Sequence, residues 1–407
     1  MSVDWSRPQK TSSQVMDYVW GEVGPSSYLG QLRGEFSDTP KAELWMGAHP
    51  KAPSEVSGKG LDQWFLEKPE LLGEASLSID PVRLPYLFKV LSAAKPLSIQ
   101  LHPNKKEAEQ LHKKDPKNYP DDNHKPEIAI ALEEHEALLG FESLPNLLEI
   151  LETNPELMGL LDSGAYENLK AGGGKAEAKK KEALKAVFTS LFEKAQESPE
   201  MIKKAAEAMK RRMISKIEKS PKEKWFIKLA DEGHEGDVGI FCLFFLNYRV
   251  LQPGEGVFLK ADVPHAYLKG NIIECMANSD NVVRAGLTPK FVDVATLAEI
   301  VEVELKPLKV QMGKENGLGG KVYRVPVKEF EVHYWESQDK NLAVDLSKIM
   351  GPRFGVVLQG KITFEKRETY TKGDVFFLSN LCSSSMELAA KTELYLARPG
   401  DGSSVGN

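Results

Sequence analysis

The sequence predicts a mainly β protein, built as two related β-barrel modules with an α-helical block inserted within or beside the first. Three observations carry this expectation. Pro, Gly and short apolar runs fill residues 1–144, and the same character returns after about residue 236, which reads as strands and loops. Between them the apolar spacing turns helical. Finally, "PGEGVFLKADVPHAYL" from Pro253 lies over "KGDVFFLSNLCSSSMEL" from Lys372, glycine on glycine.

Each copy of that repeat is a Gly-acid turn followed by an apolar strand, the pattern of antiparallel all-β modules. The alignment sets His265 of the first copy against Ser384 of the second. Polar equipment is therefore expected inside the first module only. Within the helical block, Leu184, Val187, Phe188, Leu191, Phe192 and Ala195 recur on one helix face. Ser198-Pro199-Glu200 reads as an N-cap, a first-turn proline and an early acid. The helix it opens is expected to continue through Ile202, Ala206, Met209, Met213 and Ile217. The many lysines here, as in "GGGKAEAKKKEALK", read as a solvated face. The run Gly172 to Lys175 lacks the distant first glycine and the following Ser or Thr of a phosphate loop, and "NGLGG" at Asn316 reads as a turn.

At 407 residues the chain predicts two or three domains. A hydrophobic fraction of 41% and a charged fraction of 28% are those of a soluble globular protein. "GIFCLFFLNYRV" from Gly239 is too short to span a bilayer and reads as a buried strand. Fifty-nine acidic against 53 basic residues argue against a nucleic-acid partner. Any anionic substrate must be drawn in by a local cluster. The cysteines Cys242, Cys275 and Cys382 are few and far apart, and "MSVDWSRPQK" has no apolar signal core, so a reducing cytoplasm is expected.

One segment points to chemistry. In "PLSIQLHP", Ser98, Gln100 and His102 alternate with Leu97, Ile99 and Leu101, which puts the polar three on one strand face. Lys125 and Glu127 are again two apart at the start of the next strand-like run, and His265 follows Pro264 in the returning β segment. Gln100, His102, Glu127 and His265 make a four-ligand set of oxygen and nitrogen donors suited to a divalent first-row metal, zinc above all. Only Glu127 offsets the ion's charge, which preserves its power to polarise an oxygen. Lys89, Lys125, Arg284 and Lys290 lie close in sequence to these segments, and Ser98 shares the face of Gln100; such cations suit a phosphate or a developing oxyanion. The residues alone leave the blander reading open, in which the Gln-x-His face is wet and the lysines are solvated. His112, His124, His135, His234 and His333 read as structural, and His49 stays unassigned.

These segments also carry a resemblance. "LPYLFKVLSAAKPLSIQLHPNKKEAEQLH", "YPDDNHKPEIAIAL" and "GVFLKADVPHAYLKGNIIECMANSDNVVRAGLTPKFVDV" closely resemble the type I, zinc-dependent mannose-6-phosphate isomerases, as do "YVWGEVG" at Tyr18 and "ELWMGAHP" at Glu43. The resemblance implies tandem cupin (jelly-roll) barrels. Residues 1–144 and 236–320 would form a catalytic cupin interrupted by a helical insertion at 145–235, with a metal-free cupin-like domain at 321–407. It implies one zinc ion per chain on Gln100, His102, Glu127 and His265. Arg284, Glu274 and Lys125 would be catalytic, with Glu274 as the base and Lys125 as proton shuttle or phosphate ligand. Ser98, Lys290 and Lys89 would bind substrate.

The implied activity interconverts mannose 6-phosphate and fructose 6-phosphate through an enediol(ate), supplying mannose phosphate for GDP-mannose synthesis and glycosylation. The partner would be a small sugar phosphate, with no nucleic acid or membrane, acting on a monomer. Two rivals stand beside it. A non-haem iron oxygenase can use two His and a carboxylate, but Gln100 fills a position that dioxygen chemistry wants open. A non-catalytic cupin that binds a sugar phosphate needs the cations but no proton-transfer group.

Overall fold

The computed structural model describes residues 3–174, 176–365 and 367–403. It is a mixed α/β structure of antiparallel sheets and one helical region, and every strand pairing among the described residues is antiparallel. The largest sheet has 11 strands and is organised around His265–Ala277. This long strand pairs with Tyr86–Ala93 and Glu127–Ala131 along its second half, and with Ile99–Leu101 and His135–Phe141 at its start. Its corner is Gly270, at φ 110, where a Cβ would lie 2.7 Å from the carbonyl oxygen of Glu134. Only glycine fits such a close approach in that conformation. The strand thereby delivers His265 to one set of partners and Glu274 to another.

The second β region forms a four-stranded sheet and most of a seven-stranded one, whose edge strand is Gln9–Lys10 from the N-terminal segment. Apolar side chains of the two β regions meet in a shared core that includes Tyr86, Phe88, Ile273, Phe354 and Phe377. The repeat is visible in detail at its turns. Gly254 and Gly373 have φ of 81° and 84°. Gly254 N–H donates to the Ala131 carbonyl at 2.8 Å, and Gly373 N–H to that of Val357 at 2.8 Å. The following acids, Glu255 and Asp374, each accept from the backbone N–H three residues earlier, again at 2.8 Å. Ser384 is buried where His265 stands in the first copy, its hydroxyl 3.2 Å from the Cys382 thiol.

The helical region runs from Leu144–Thr153 through Glu177–Glu197, Pro199–Ser215 and Pro221–Asp231 to Gly239–Phe245. Leu184, Val187, Phe188, Leu191 and Phe192 are buried as expected, and Pro199 opens its helix after Ser198. Two expectations are corrected. Ile217 is fully exposed, because the helix ends at Ser215 and Lys216 is already extended. The run from Gly239 is no strand at first: Gly239–Phe245 is a helix, wholly buried, and the strand begins at Leu246. An unbroken apolar run has no period to separate the two states. Shorter helices also interrupt residues 1–144, including Lys105–Lys114, closed at its start by a reciprocal Asn104–Glu107 cap.

Asn316 forms the expected turn, its side-chain oxygen accepting from the Leu318 and Gly320 N–H groups. Lys175 of the glycine run lies outside the described residues. Among the described residues no helix is long and apolar enough to cross a membrane.

Candidate metal centre and active site

Two strand starts and one strand end converge on one buried point. His102 follows Ile99–Leu101, Glu127 opens Glu127–Ala131 and His265 opens His265–Ala277. Glu127 Oε2 lies 3.2 Å from His102 Nε2, and Glu127 Oε1 lies 3.0 Å from His265 Nε2. All three are buried, and their ligand atoms lie within 4.8 Å of one another. The imidazoles are fixed from behind: Nδ1 of His102 meets the Asn281 carbonyl at 2.9 Å, and Nδ1 of His265 that of Val263 at 3.0 Å. With Nδ1–H donated to a carbonyl, each Nε2 turns a lone pair into the centre.

Burial, with Lys125 adding to it, pushes the His102 imidazole down to about 3, so it is neutral and free to ligate. Burial alone would raise the Glu127 carboxyl, but Lys125 and the two histidines hold it well below the ordinary carboxylate range. Among the described residues, His265 Nε2 and Glu127 Oε2 have no hydrogen-bond partner in good geometry although both are buried. Orphaned buried acceptors of this kind are what a cation satisfies. Gln100 joins the set by register, since it lies directly opposite His265 across the strands, and such pairs share a face. The donors therefore fit a divalent metal.

A second charged group lies on the same long strand. Glu274 faces Lys89 in the pairing with Tyr86–Ala93, and their side chains meet at 2.8 Å, with Glu43 3.5 Å from the same ammonium. Burial and the nearby Glu127 raise the Glu274 carboxyl, while Lys89 opposes them. Burial would lower Lys89, but Glu274 and Glu43 outweigh it and keep it charged. Lys125 lies against the metal-centre residues, 3.4 Å from His102 Nε2 and 3.5 Å from Glu127 Oε2, and its charge also opposes the rise at Glu274.

Arg284 sits opposite Gln100 in the pairing of Val283–Gly286 with Ile99–Leu101. It is half-buried, and its guanidinium has no ion pair or hydrogen bond among the described residues. Burial lowers it from the ordinary arginine value. An ion-pairing group held this way is ready to receive an anion. Ser98 is half-buried beside this strand, and Lys290 is exposed; among the described residues neither side chain is tied into the cluster by a hydrogen bond or ion pair.

Several residues were not singled out from sequence. Tyr267 donates its hydroxyl to Glu127 Oε1 at 3.0 Å. Its position two beyond His265 puts it on the same strand face, which is the signal that could have found it. Glu43 accepts from the Trp45 indole N–H. His49, unassigned before, stands edge-on to Trp45 with Nε2 3.3 Å from the Asp280 carboxylate, and Lys89 lies 5.4 Å from the Trp45 ring centre. Asp280 is held below the usual carboxylate range by His49 and Lys51 against the opposing effect of burial.

The comparisons agree with this geometry. The family description "phosphomannose isomerase type I, catalytic domain" matches residues 9–144. The chain is 38% identical over 394 residues to mannose-6-phosphate isomerase 2 of Arabidopsis thaliana, covering 91% of this chain and 88% of that protein. It is 35% identical over 411 residues to the Homo sapiens mannose-6-phosphate isomerase, covering 95% and 97%. A crystal structure of a phosphomannose isomerase variant from Salmonella typhimurium superposes with a TM-score of 0.79 at 30% identity, over 97% of this chain and 100% of that one. A mannose 6-phosphate isomerase bound with zinc and yttrium does so with a TM-score of 0.78 at 30% identity, over 97% and 99%. With near-complete coverage at these identities, and with a buried imidazole–carboxylate centre where the matched motifs meet, the chain belongs to the type I phosphomannose isomerase family.

Proposed function

We propose that this chain is a zinc-dependent isomerase that interconverts mannose 6-phosphate and fructose 6-phosphate. The observation that carries the reading is a single strand, His265–Ala277, which brings one end to the metal centre and its Glu274 to the Lys89 ammonium. Gln100, His102, Glu127 and His265 would hold the zinc. When bound, zinc supplies a Lewis acid that polarises sugar oxygens.

The remaining roles belong to the chain. Glu274 takes the proton from C2 of the open-chain aldose and returns it to C1, while the hydroxyl proton of O2 passes to O1, leaving the ketose. A carboxyl raised by burial is a better base for that carbon acid than a solvated one. Lys89 keeps its partner oriented at 2.8 Å. The unpaired guanidinium of Arg284 faces the charge that develops on the enediolate oxygens. Lys125 stands where it can donate to a sugar oxygen, and Ser98 and Lys290 hold the hydroxyl and phosphate ends of the substrate. Anchoring the remote phosphate contributes to orienting the reacting carbons.

We read the two β regions as cupin barrels, the catalytic one formed by residues 1–144 and 236–320 around an insertion at 145–235, and a metal-free one at 321–407. The enzyme is read as a cytoplasmic monomer. Glu274→Gln tests the chemistry. In zinc-loaded protein it should lower kcat by roughly 10²- to 10⁴-fold, the range for loss of a general base, while zinc content stays at the wild-type level. A Glu274→Gln enzyme with wild-type kcat would remove Glu274 from the proton transfer.

A further inference from the structure

Arg284 owes its aim to an irregular piece of backbone. Where Val283–Gly286 pairs with Ile99–Leu101, Arg284 faces Gln100 and Gly286 faces Ile99, so Ala285 is an extra residue. A bulge of this kind bends the strand and re-aims the side chains beside it. The chain then passes through two residues with positive φ, Gly286 at 129° and Leu287 at 54°. That conformation is strained for leucine and persists only where the surroundings impose it.

The helical region imposes it. Gly239, the first residue of Gly239–Phe245, packs backbone to backbone on Gly286, where an added Cβ would lie 2.4 Å from the Gly239 Cα. Asp237 locks the contact with both oxygens: Oδ1 accepts from Gly239 N–H at 2.7 Å, and Oδ2 accepts from Thr288 N–H at 3.0 Å. His234 Nδ1 lies 4.0 Å from Oδ2. One turn along the helix, the Cys242 thiol lies 3.9 Å from the Ala285 carbonyl oxygen at the bulge itself.

We infer that Asp237 is a positioning residue for catalysis, a two-pronged clamp by which the helical region fixes the Arg284–Lys290 loop. Asp237 acts through backbone N–H groups on the placement of Arg284 and touches no reacting atom. The inference rests on the reading of Arg284 as the group that stabilises developing charge. It also gives the helix Gly239–Phe245 a part in turnover.

The test is a double-mutant cycle on zinc-loaded enzyme with mannose 6-phosphate, using Asp237→Asn, Arg284→Lys and the pair. Asparagine keeps the acceptor for Gly239 but turns an NH₂ group on the Thr288 N–H. Asp237→Asn should lower kcat about tenfold or more, as misplacement of a catalytic group does, with zinc content and Tm near wild type. In the Arg284→Lys background the same change should cost clearly less, because coupled residues are not additive. A merely structural residue would lower Tm or metal content and show no such coupling. Wild-type kcat for Asp237→Asn, or losses that multiply independently, beside an impaired Arg284→Lys enzyme, overturns the clamp alone. Arg284→Lys at the wild-type rate overturns the reading of Arg284 and the clamp with it. Asp237→Ala, which loses both bonds, should be at least as impaired as Asp237→Asn, and a higher kcat in it counts against the clamp.

Discussion

Glu127 and Arg353 occupy the same place in the two β regions. When Gly254 is set on Gly373, Leu259 falls on Leu378, and the strand partners of these leucines are Glu127 and Arg353. The carboxylate of the metal centre is thus replaced in the second region by a guanidinium. Arg353 is fully buried and donates to the carbonyls of Leu346, Ile349, Ser379 and Cys382 at 2.6 to 3.3 Å. Burial brings it down to about 10, which still leaves it charged at neutral pH. A cation supplied by the chain gathers loop carbonyls where the first region gathers imidazoles.

Arg353→Met should therefore destabilise the protein without touching its metal. The methionine fills part of the volume but leaves those carbonyls with no donor from residue 353. Losing the cation from such a buried network costs about 3–5 kcal/mol. A fall in the denaturant midpoint with unchanged zinc content is the expected outcome. A change below about 1 kcal/mol, the value of an exposed polar contact, would show that the guanidinium is not the centre of this network.

Tyr267→Phe should loosen the metal rather than abolish it. The hydroxyl orients Glu127 through Oε1 at 3.0 Å. Loss of such an outer partner typically lowers metal affinity by about 10- to 100-fold. Competition with a chromophoric chelator measures this directly, and an unchanged affinity would mean that strand geometry alone orients the carboxylate.

His135 predicts a pH dependence of stability. It is fully buried with neither ring nitrogen hydrogen-bonded in good geometry among the described residues, and burial pushes it down to about 4, opposed only in part by the Gly270 backbone. The unfolded chain takes up this proton below its ordinary value near 6.5 while the folded chain refuses it until about pH 4. The stability is thus complete above about pH 6.5 and drains away as pH falls towards 4, by about 3 kcal/mol at the full separation. His135→Leu should remove that component. Unfolding free energies of both proteins in metal-free buffer at pH 7 and pH 4.5 should diverge as acid is added, with the leucine variant losing less. Parallel losses would place the acid sensitivity elsewhere.

The sequence made the metal centre legible because strand alternation is a local rule. Gln100 and His102, or Lys125 and Glu127, declare a shared face within three residues. What stayed hidden depends on pairings between distant segments. Lys89 and Glu274 are 185 positions apart, and nothing near either announces the other. Asp237 carries no local signal, because the two N–H groups that donate to it, those of Gly239 and Thr288, lie on different elements. The helix Gly239–Phe245 was misread because uniform burial erases the apolar period. Arg353 lies in "GPRFGVVL", where a lone charge reads as a strand end, and only the register with Leu378 reveals its relation to Glu127.

Isomerisation is expected to depend on zinc at the imidazole–carboxylate centre. The most direct measurement follows fructose 6-phosphate formed from mannose 6-phosphate by the purified protein as isolated, after chelation, and after zinc is titrated back. Turnover should disappear on chelation and return in full at one zinc per chain. Undiminished turnover in metal-free protein, or none in the fully zinc-loaded protein, would contradict that dependence.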